Sequence, residues 1–226
     1  MALIARQFNE ENDLFAAAET VQQQLFSYAD TIEAWAGDVS DIMLKRADQA
    51  DYDTWLKVGK EMSAATRRRL KSAAIGLTHR RLQDEQVTLI KSLPLDAAKK
   101  VHEWATEGMT KGMRYPDIAK RIREELGAVT ETRAICIART ETARARTNFT
   151  QARAQAVGST GYIWRTVGDG AVRPMHAALD GTVQRWDAPP VCERGRGGEP
   201  IRAAPGCVWN CRCYAEPIFS KSEYDK

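Results

Sequence analysis

The sequence predicts an α+β protein, with a mostly helical N-terminal part built from long amphipathic helices and a small β-rich C-terminal module. Apolar residues recur at steps of three and four through the first 157 residues, which is the period of an amphipathic helix. Beyond them, short runs of β-branched and aromatic residues are separated by glycine turns. Four of the five cysteines lie in this second part, between Tyr162 and Pro217.

The first predicted helix carries an apolar seam and an acidic polar face. We expect Asn9 or Asn12 to cap it and Gly37 to end or weaken it. Residues 1–60 have a net charge of −6, so this arm would repel DNA and would need an apolar or basic protein groove. The alternative is that the seam packs on the next helix of the same chain. The seam consists of Leu14, Ala18, Val21, Leu25, Tyr28, Ile32 and Trp35.

A second helical run is predicted to start near Asp51 or Asp53, and it leads into the basic part of the chain. Residues 61–157 have a net charge of +8, against +1 for residues 158–226. Arg67, Arg68 and Arg69 are consecutive in this run. Such a run is either a nucleic-acid patch or a solvated helix face, and charge alone does not separate the two.

Three further helices are predicted before the C-terminal module. Proline and glycine positions bound them at residues 93–108, 116–127 and 131–157, with Thr130 as the cap of the last. Arg139, Arg146 and Arg153 repeat every seven residues on this last helix and therefore form one row beside its apolar seam. The row would either clamp carboxylates or phosphates, or pair with acidic groups across a helix interface.

The C-terminal module is predicted to be mostly β. Residues 162–167 and 182–186 are the strand candidates, with turns at residues 168–170 and at Asp180–Gly181. The glycine-rich run at residues 195–198 lacks the lysine and hydroxyl residue of a phosphate loop, so we expect a loop between strands. A module of roughly 60 residues buries little apolar surface and usually needs a staple or a partner.

The histidine and cysteine side chains of this module could stabilise it. No run of 18 apolar residues and no signal-peptide core is present, so we expect a soluble protein in a reducing cytoplasm, where disulfides are disfavoured. A structural zinc ion is then one interpretation, and packing of one thiol in the core while its neighbour points outward is the other. The candidate ligands are His176, Cys192, Cys207, Cys211 and Cys213.

Two enzymatic alternatives use the same residues. A cysteine with His176 as its base would make a cysteine hydrolase, with Arg173 or Arg212 holding the oxyanion. The run from Arg173 to His176, followed by Asp180, is similar to the first part of a histidine nuclease, and a zinc-dependent nuclease of this kind would need a second histidine or carboxylate ligand set downstream. No local hydrolase signature surrounds the thiols, and no histidine follows His176, so the sequence favours neither.

Several short motifs in this region share their order and spacing with one known family. The chain reads Ile-Ala-Arg-Thr-Glu at residues 137–141, Arg-Pro-Met-His at 173–176, Leu-Asp-Gly at 179–181 and Asn-Cys-Arg-Cys at 210–213. With Trp164 and the Pro205–Gly206 pair, this resembles the C-terminal domain of the phage Mu F-like minor head proteins, also called the head-morphogenesis family. Many relatives carry Cys-x-x-Cys where this chain has residues 173–176, so a metal site inferred from them transfers only in part.

The resemblance implies a function and a division of the chain. It implies a non-enzymatic minor structural protein of a tailed-phage head, acting near the portal in head assembly and in DNA packaging or delivery. Residues 1–130 would then be the helical region that contacts the portal or capsid, residues 131–217 the Mu F-like domain, and residues 218–226 a tail. The partners would be the portal protein, other head proteins and packaged double-stranded DNA, with no membrane. The alternatives are a nucleic-acid-binding protein of the virion interior, or one of the two enzymes.

Overall fold

The computed structural model describes residues 14–58, 62–71 and 75–219. The two asparagine caps and the predicted tail beyond residue 219 lie outside these residues. Five helices precede the C-terminal module in the described part of the chain, and the α+β prediction is confirmed. They are α1 (Leu14–Thr31), α2 (Glu33–Val58), α3 (Ala64–Lys71), α4 (Ile75–Thr110) and α5 (Tyr115–Ala156).

Several predicted helix boundaries are wrong because glycine, proline and capping residues lie inside longer helices. Gly37 and Asp51 are both internal to α2, and Pro94 is internal to α4. Thr130 does not cap a new helix, because its hydroxyl donates to the Leu126 carbonyl one turn back, at 2.8 Å. Packing of apolar side chains therefore outweighs these local stop signals.

The chain divides into two compact units, and each combines two separate segments. Unit 1 contains residues 1–40 and 84–137, and unit 2 contains residues 41–83 and 138–226. The predicted boundary at residue 130 is a functional division of the chain into consecutive segments. The two structural units do not test that division, and it remains a prediction.

The core of unit 1 is helical and almost entirely apolar. Buried alanine, aliphatic and tryptophan side chains from α1, α4 and α5 form one cluster. The predicted seam of α1 contributes only its first part to this core, because Ala18 and Val21 are buried while Tyr28 and Trp35 are exposed. The other members of the cluster are Ala17, Ala97, Val101, Trp104, Ala105, Ile118, Ile122 and Leu126.

The C-terminal module of unit 2 contains a three-stranded and a two-stranded antiparallel sheet. In the first sheet, β1 (Gly161–Arg165) lies between β2 (Val183–Arg185) and β5 (Tyr214–Pro217). The second sheet pairs β3 (Val191–Arg194) with β4 (Pro200–Arg202), and the glycine-rich run joins them as the predicted loop. A six-residue helix, α6 (Pro174–Leu179), follows β1.

The core of unit 2 joins this module to the helices of the same unit. Tyr162 and Trp164 of β1 are fully buried, and they share a cluster with Trp55 of α2 and with Ala154 and Val157 at the end of α5. A second cluster in unit 2 contains Leu44, Ala47, Leu82, Ala145 and Phe149. The small module therefore does not form a core alone, as its size predicted.

Candidate functional site

Three of the five predicted metal ligands meet at one end of the module. His176 lies in α6 and is 2% exposed, while Cys211 and Cys213 are buried in the segment that leads into β5. Pro174 starts α6, and its fixed φ angle suits the first turn of a helix. We call these three residues the His–Cys cluster.

The cluster is compact and centred on one ring nitrogen. The Nδ1 atom of His176 lies 3.5 Å from the Sγ atom of Cys211 and 3.5 Å from the Sγ atom of Cys213. The backbone N–H of Gly206 donates to the Cys211 sulfur at 3.3 Å. The Trp164 ring packs edge to face against the imidazole, with ring centroids 5.4 Å apart. The Nε2 atom of His176 is buried and has no hydrogen-bond partner among the described residues.

The two thiols of the cluster differ in pKa, and the proton that they share belongs mainly to Cys213. A hydrogen bond from the Cys213 thiol lowers the pKa of Cys211 to about 5, with further help from the Gly206 N–H and against the opposing effect of burial. The same bond and burial raise the pKa of Cys213. One thiolate next to one thiol is therefore the state that these contacts favour.

The other two predicted ligands do not join the cluster. Cys192 is buried in β3, where its thiol donates to the Ile201 carbonyl at 3.7 Å. Burial raises the pKa of Cys207 to about 12. Within the described part of the chain, His176, Cys211 and Cys213 are the only group of three or more potential metal ligands whose ligand atoms lie within 4.8 Å of one another. Three of the five candidate ligands therefore meet in the fold, and metal binding by them remains a prediction.

The predicted row of arginines on α5 divides into one buried and two exposed members. The Arg153 guanidinium is bonded to the carboxylates of Asp51 and Asp48 on α2 and lies over the Tyr52 ring at 5.4 Å. Burial raises the pKa of Asp51, while the bonds from Thr150 and Arg153 oppose that rise. Arg153 therefore pairs with acidic groups across a helix interface, which is the second of the two roles expected for the row.

Arg139 and Arg146 instead line an open cleft of about 1340 Å³ within unit 2. Both side chains are exposed, and neither makes a hydrogen bond or ion pair with any described residue. We call this the arginine cleft. Its walls include Val58, Trp55 and Phe219, and the two cysteines of the His–Cys cluster lie at its edge.

Two more arginines on the module side of the cleft are already paired. The Arg173 Nε atom lies 3.0 Å from a Glu193 carboxylate oxygen, and Arg212 is bonded to Asp169. The sequence suggested both arginines as candidates for an oxyanion site, but it did not reveal their acidic partners. Asp48 and Asp51 were likewise not predicted as partners of Arg153, although their spacing of three residues on a helix was a detectable signal.

The basic run on α3 is separate from the cleft. Arg67, Arg68 and Arg69 are all exposed, and none of them lines the arginine cleft. Consecutive residues on a helix point about 100° apart, so the three cannot face one flat partner together. Their contact with nucleic acid remains a prediction.

The cluster contains only some of the residues that a cysteine hydrolase or a zinc-dependent nuclease would need. Cys211 with its lowered pKa and His176 resemble a nucleophile and a base, but Cys211 is 4% exposed and shares the imidazole with Cys213. Among the described residues, no second histidine or carboxylate joins the cluster, as a hydrolytic metal site of a nuclease would require.

Comparisons with known proteins identify the family of this chain. A model of the family described as "Phage Mu protein F like protein" matches residues 99–216, a range that contains the whole His–Cys cluster. A protein of Haemophilus influenzae, described as an uncharacterized protein, is 33% identical over 137 residues. That alignment covers 61% of this chain and 28% of the relative, so the chain spans less than a third of the relative's length. No solved structure matches the chain. Within the described residues, no helix combines the length and apolar character needed to cross a membrane.

Proposed function

Because the chain belongs to the phage Mu F-like family, we propose that it is a minor structural head protein of a tailed phage or prophage that docks on the portal protein. The motifs between residues 137 and 213 predicted this family, and the match to residues 99–216 confirms it. The chain is therefore a phage head-related protein. Its proposed place is the head interior or the portal vertex, reached from the host cytoplasm during assembly, with a role in DNA packaging or delivery. The family favours a structural role over catalysis.

The observation that carries the docking proposal is an exposed aromatic stripe on unit 1. Tyr28 is 56% exposed, Trp35 is 57% exposed and Val39 is 37% exposed. Their spacing of seven and four residues places them on one face, because hydrogen bonds from Ile32 to Tyr28 and from Ala36 to Ile32 continue the helix between α1 and α2. Large exposed aromatic side chains in one row are typical of protein interaction sites.

Charge indicates what kind of surface would cover the stripe. Asp30, Glu33 and Asp38 are exposed on the same stretch, and residues 1–60 carry a net charge of −6. Lys91 pairs with Glu33 at 2.8 Å and lies 3.9 Å from Asp30, so part of this charge is already compensated. A groove on the portal protein that is apolar at its centre and basic at its rim would complement this surface.

Co-purification of the full chain with the portal protein of the same phage tests this proposal. We expect the double substitution Tyr28→Asp and Trp35→Asp to weaken binding at least about tenfold, roughly 1.4 kcal/mol, because it buries two carboxylates in an apolar contact. Trp209→Asp is the matched control, because Trp209 is 64% exposed in unit 2 and lies outside the stripe. Unchanged binding by the double variant, with wild-type circular dichroism, would contradict the proposal.

The arginine cleft supports a second candidate function, binding to packaged double-stranded DNA. Arg139 and Arg146 lie about two helical turns apart, and neither is paired to a described residue. An exposed arginine fork without a carboxylate partner is suited to a phosphate oxygen. The acidic surface of unit 1 would not contribute to such binding, so the contact would be confined to the basic part of the chain.

Fluorescence anisotropy with a DNA duplex at about 50 and 200 mM salt tests the second function. We expect affinity to fall with salt, and the double substitution Arg139→Glu and Arg146→Glu to reduce the slope by about 0.9 for each phosphate that the variant no longer neutralises. Arg67→Glu with Arg68→Glu is the control of equal charge change outside the cleft. Equal affinity at both salt concentrations would exclude phosphate recognition, whereas an equal decrease in both variants would exclude the cleft as its location.

A further inference from the structure

The distances within the His–Cys cluster match those of a tetrahedral zinc site. Zinc binds thiolate sulfur at about 2.3 Å and imidazole nitrogen at about 2.0–2.1 Å, so tetrahedral geometry places sulfur and nitrogen about 3.6 Å apart. The two distances from the His176 Nδ1 atom to the sulfurs of Cys211 and Cys213 are both 3.5 Å. The spacing of the three ligand atoms, all within 4.8 Å of one another, is therefore compatible with one zinc ion.

The imidazole nitrogen of this cluster cannot serve both sulfurs equally through one hydrogen bond. A neutral imidazole nitrogen is either a donor or an acceptor, and it has one hydrogen-bonding direction in the ring plane. The Nδ1 atom of His176 faces two sulfurs at equal distance and would serve only one of them well. A metal ion in the centre would satisfy both sulfurs and the nitrogen together, with the ring proton on Nε2.

The surrounding backbone holds the sulfur ligands in place. Gly206 has φ of +83°, and this left-handed conformation directs its N–H to the Cys211 sulfur. Thr147 of α5 donates to the Pro205 carbonyl at 2.7 Å and so fastens the same turn to the helix within unit 2. Contacts to sulfur and to the ligand loop of this kind orient the ligands of metal sites.

From these observations we infer that His176, Cys211 and Cys213 bind one zinc ion, whose fourth coordination position opens on the arginine cleft. Two thiolates and one imidazole are soft and borderline ligands, which suit zinc and not magnesium or calcium. Cys192 and Cys207 lie outside the set of atoms within 4.8 Å, whereas Cys211 and Cys213 line the cleft. A water molecule or an atom of a bound partner would take the fourth position.

The ion would join parts of the module that are distant in sequence. His176 belongs to α6, which follows β1, while the two cysteines are 35 and 37 residues further along the chain. Binding in the folded state alone would couple zinc to the stability of this module. The role is therefore that of a staple for a module whose own apolar core is small.

Metal analysis of the full chain, purified under reducing conditions without chelator, tests the inference. We expect one zinc per chain in the wild type, none in His176→Ala or Cys211→Ser, and one in Cys207→Ser. Cys136→Ser is the matched control, because Cys136 lies in α5 outside the cluster. Absence of zinc from the wild type, even after incubation with zinc and desalting, would overturn the inference.

X-ray absorption on the zinc-loaded wild type keeps the test independent of variants that fail to fold. We expect two sulfur atoms at about 2.3 Å and two nitrogen or oxygen atoms at about 2.0–2.1 Å. Three sulfur atoms would show that a further cysteine closes the site, and would overturn the open fourth position. A shell of nitrogen and oxygen alone would show that the zinc is bound elsewhere on the chain and would overturn the site itself.

Discussion

In unit 1 the main core consists of alanine, aliphatic and tryptophan side chains from three helices, whereas the interior of unit 2 also holds three thiols, an imidazole and a paired arginine. On the surface, the more apolar feature belongs to unit 1 and the more polar feature to unit 2, which matches the contrast between their cores. Unit 1 exposes an aromatic stripe among acidic residues, and unit 2 has an open cleft lined by arginines. Unit 2 therefore adds several buried polar contacts to its apolar clusters, while unit 1 combines a mainly apolar core with an exposed apolar surface.

The buried arginine of unit 2 should give the largest difference between the two units. Arg153→Ala leaves Asp51 buried without its ionic partner, and we expect a decrease of about 3–5 kcal/mol in the free energy of unfolding. Arg133→Ala in unit 1 removes an exposed pair with Asp96 and should cost less than about 1 kcal/mol. Urea denaturation of both variants measures the difference, and equal decreases would show that burial of the pair is unimportant.

A pair of threonines should show the same contrast at smaller magnitude. Thr147 donates to the buried Pro205 carbonyl, so Thr147→Val leaves that carbonyl unpaired and should cost about 1–3 kcal/mol. Thr130→Val in unit 1 removes a bond to a carbonyl of its own helix and should change stability by less than about 0.5 kcal/mol. Thermal melts of the two variants would refute this contrast if their midpoints coincided.

Replacing a glycine by alanine should change the free energy of unfolding in opposite directions in the two units. A Cβ atom at Gly206 would lie 2.9 Å from the Thr147 Oγ1 atom, and the φ of +83° disfavours any side chain, so we expect destabilisation by more than about 1 kcal/mol. At Gly37, inside α2, nothing lies within 4 Å of the added atom, and alanine should stabilise the helix by about 0.5–1 kcal/mol. Two shifts of the same sign would contradict this account.

The helical part was predictable in class but not in its boundaries. The spacing of apolar residues identified the helices, because buried residues recur at helical steps, as Ile118, Ile122 and Leu126 do on α5. Pro94 and Gly127 suggested ends that do not occur, since the cost of one proline or glycine is smaller than the packing of a long helix. Tyr28 and Trp35 belong to the predicted seam yet are exposed, because the period does not show which part of a seam finds a partner within the chain.

The module was predictable where strands carry their own signals. Both predicted strands exist as β1 and β2, with shifts of one or two residues at their ends. The strand β5 was missed because Tyr214–Pro217 has no β-branched residue and ends in proline, so its pairing with β1 alone makes it a strand. The helix α6 was missed because six residues are too few to show a period.

The candidate site was predictable in residue type and only partly in membership. Ligand chemistry selected His176 and four cysteines, but spacing along the chain did not separate Cys192 and Cys207 from the three that meet. The seven-residue repeat of arginines likewise did not separate the buried Arg153 from the exposed Arg139, because burial depends on the carboxylates of α2. Both distinctions are set by tertiary contacts.

Hydroxyl-radical footprinting of the full chain, with and without the portal protein, tests the docking of unit 1 most directly. Tyr28 and Trp35 are exposed on the stripe, while Tyr214 and Trp209 are similarly exposed in unit 2 and act as internal references. We predict that the portal protein lowers the oxidation rates of Tyr28 and Trp35 several-fold and leaves those of Tyr214 and Trp209 unchanged. Unaltered oxidation of Tyr28 and Trp35 in a complex that has formed would contradict the proposal.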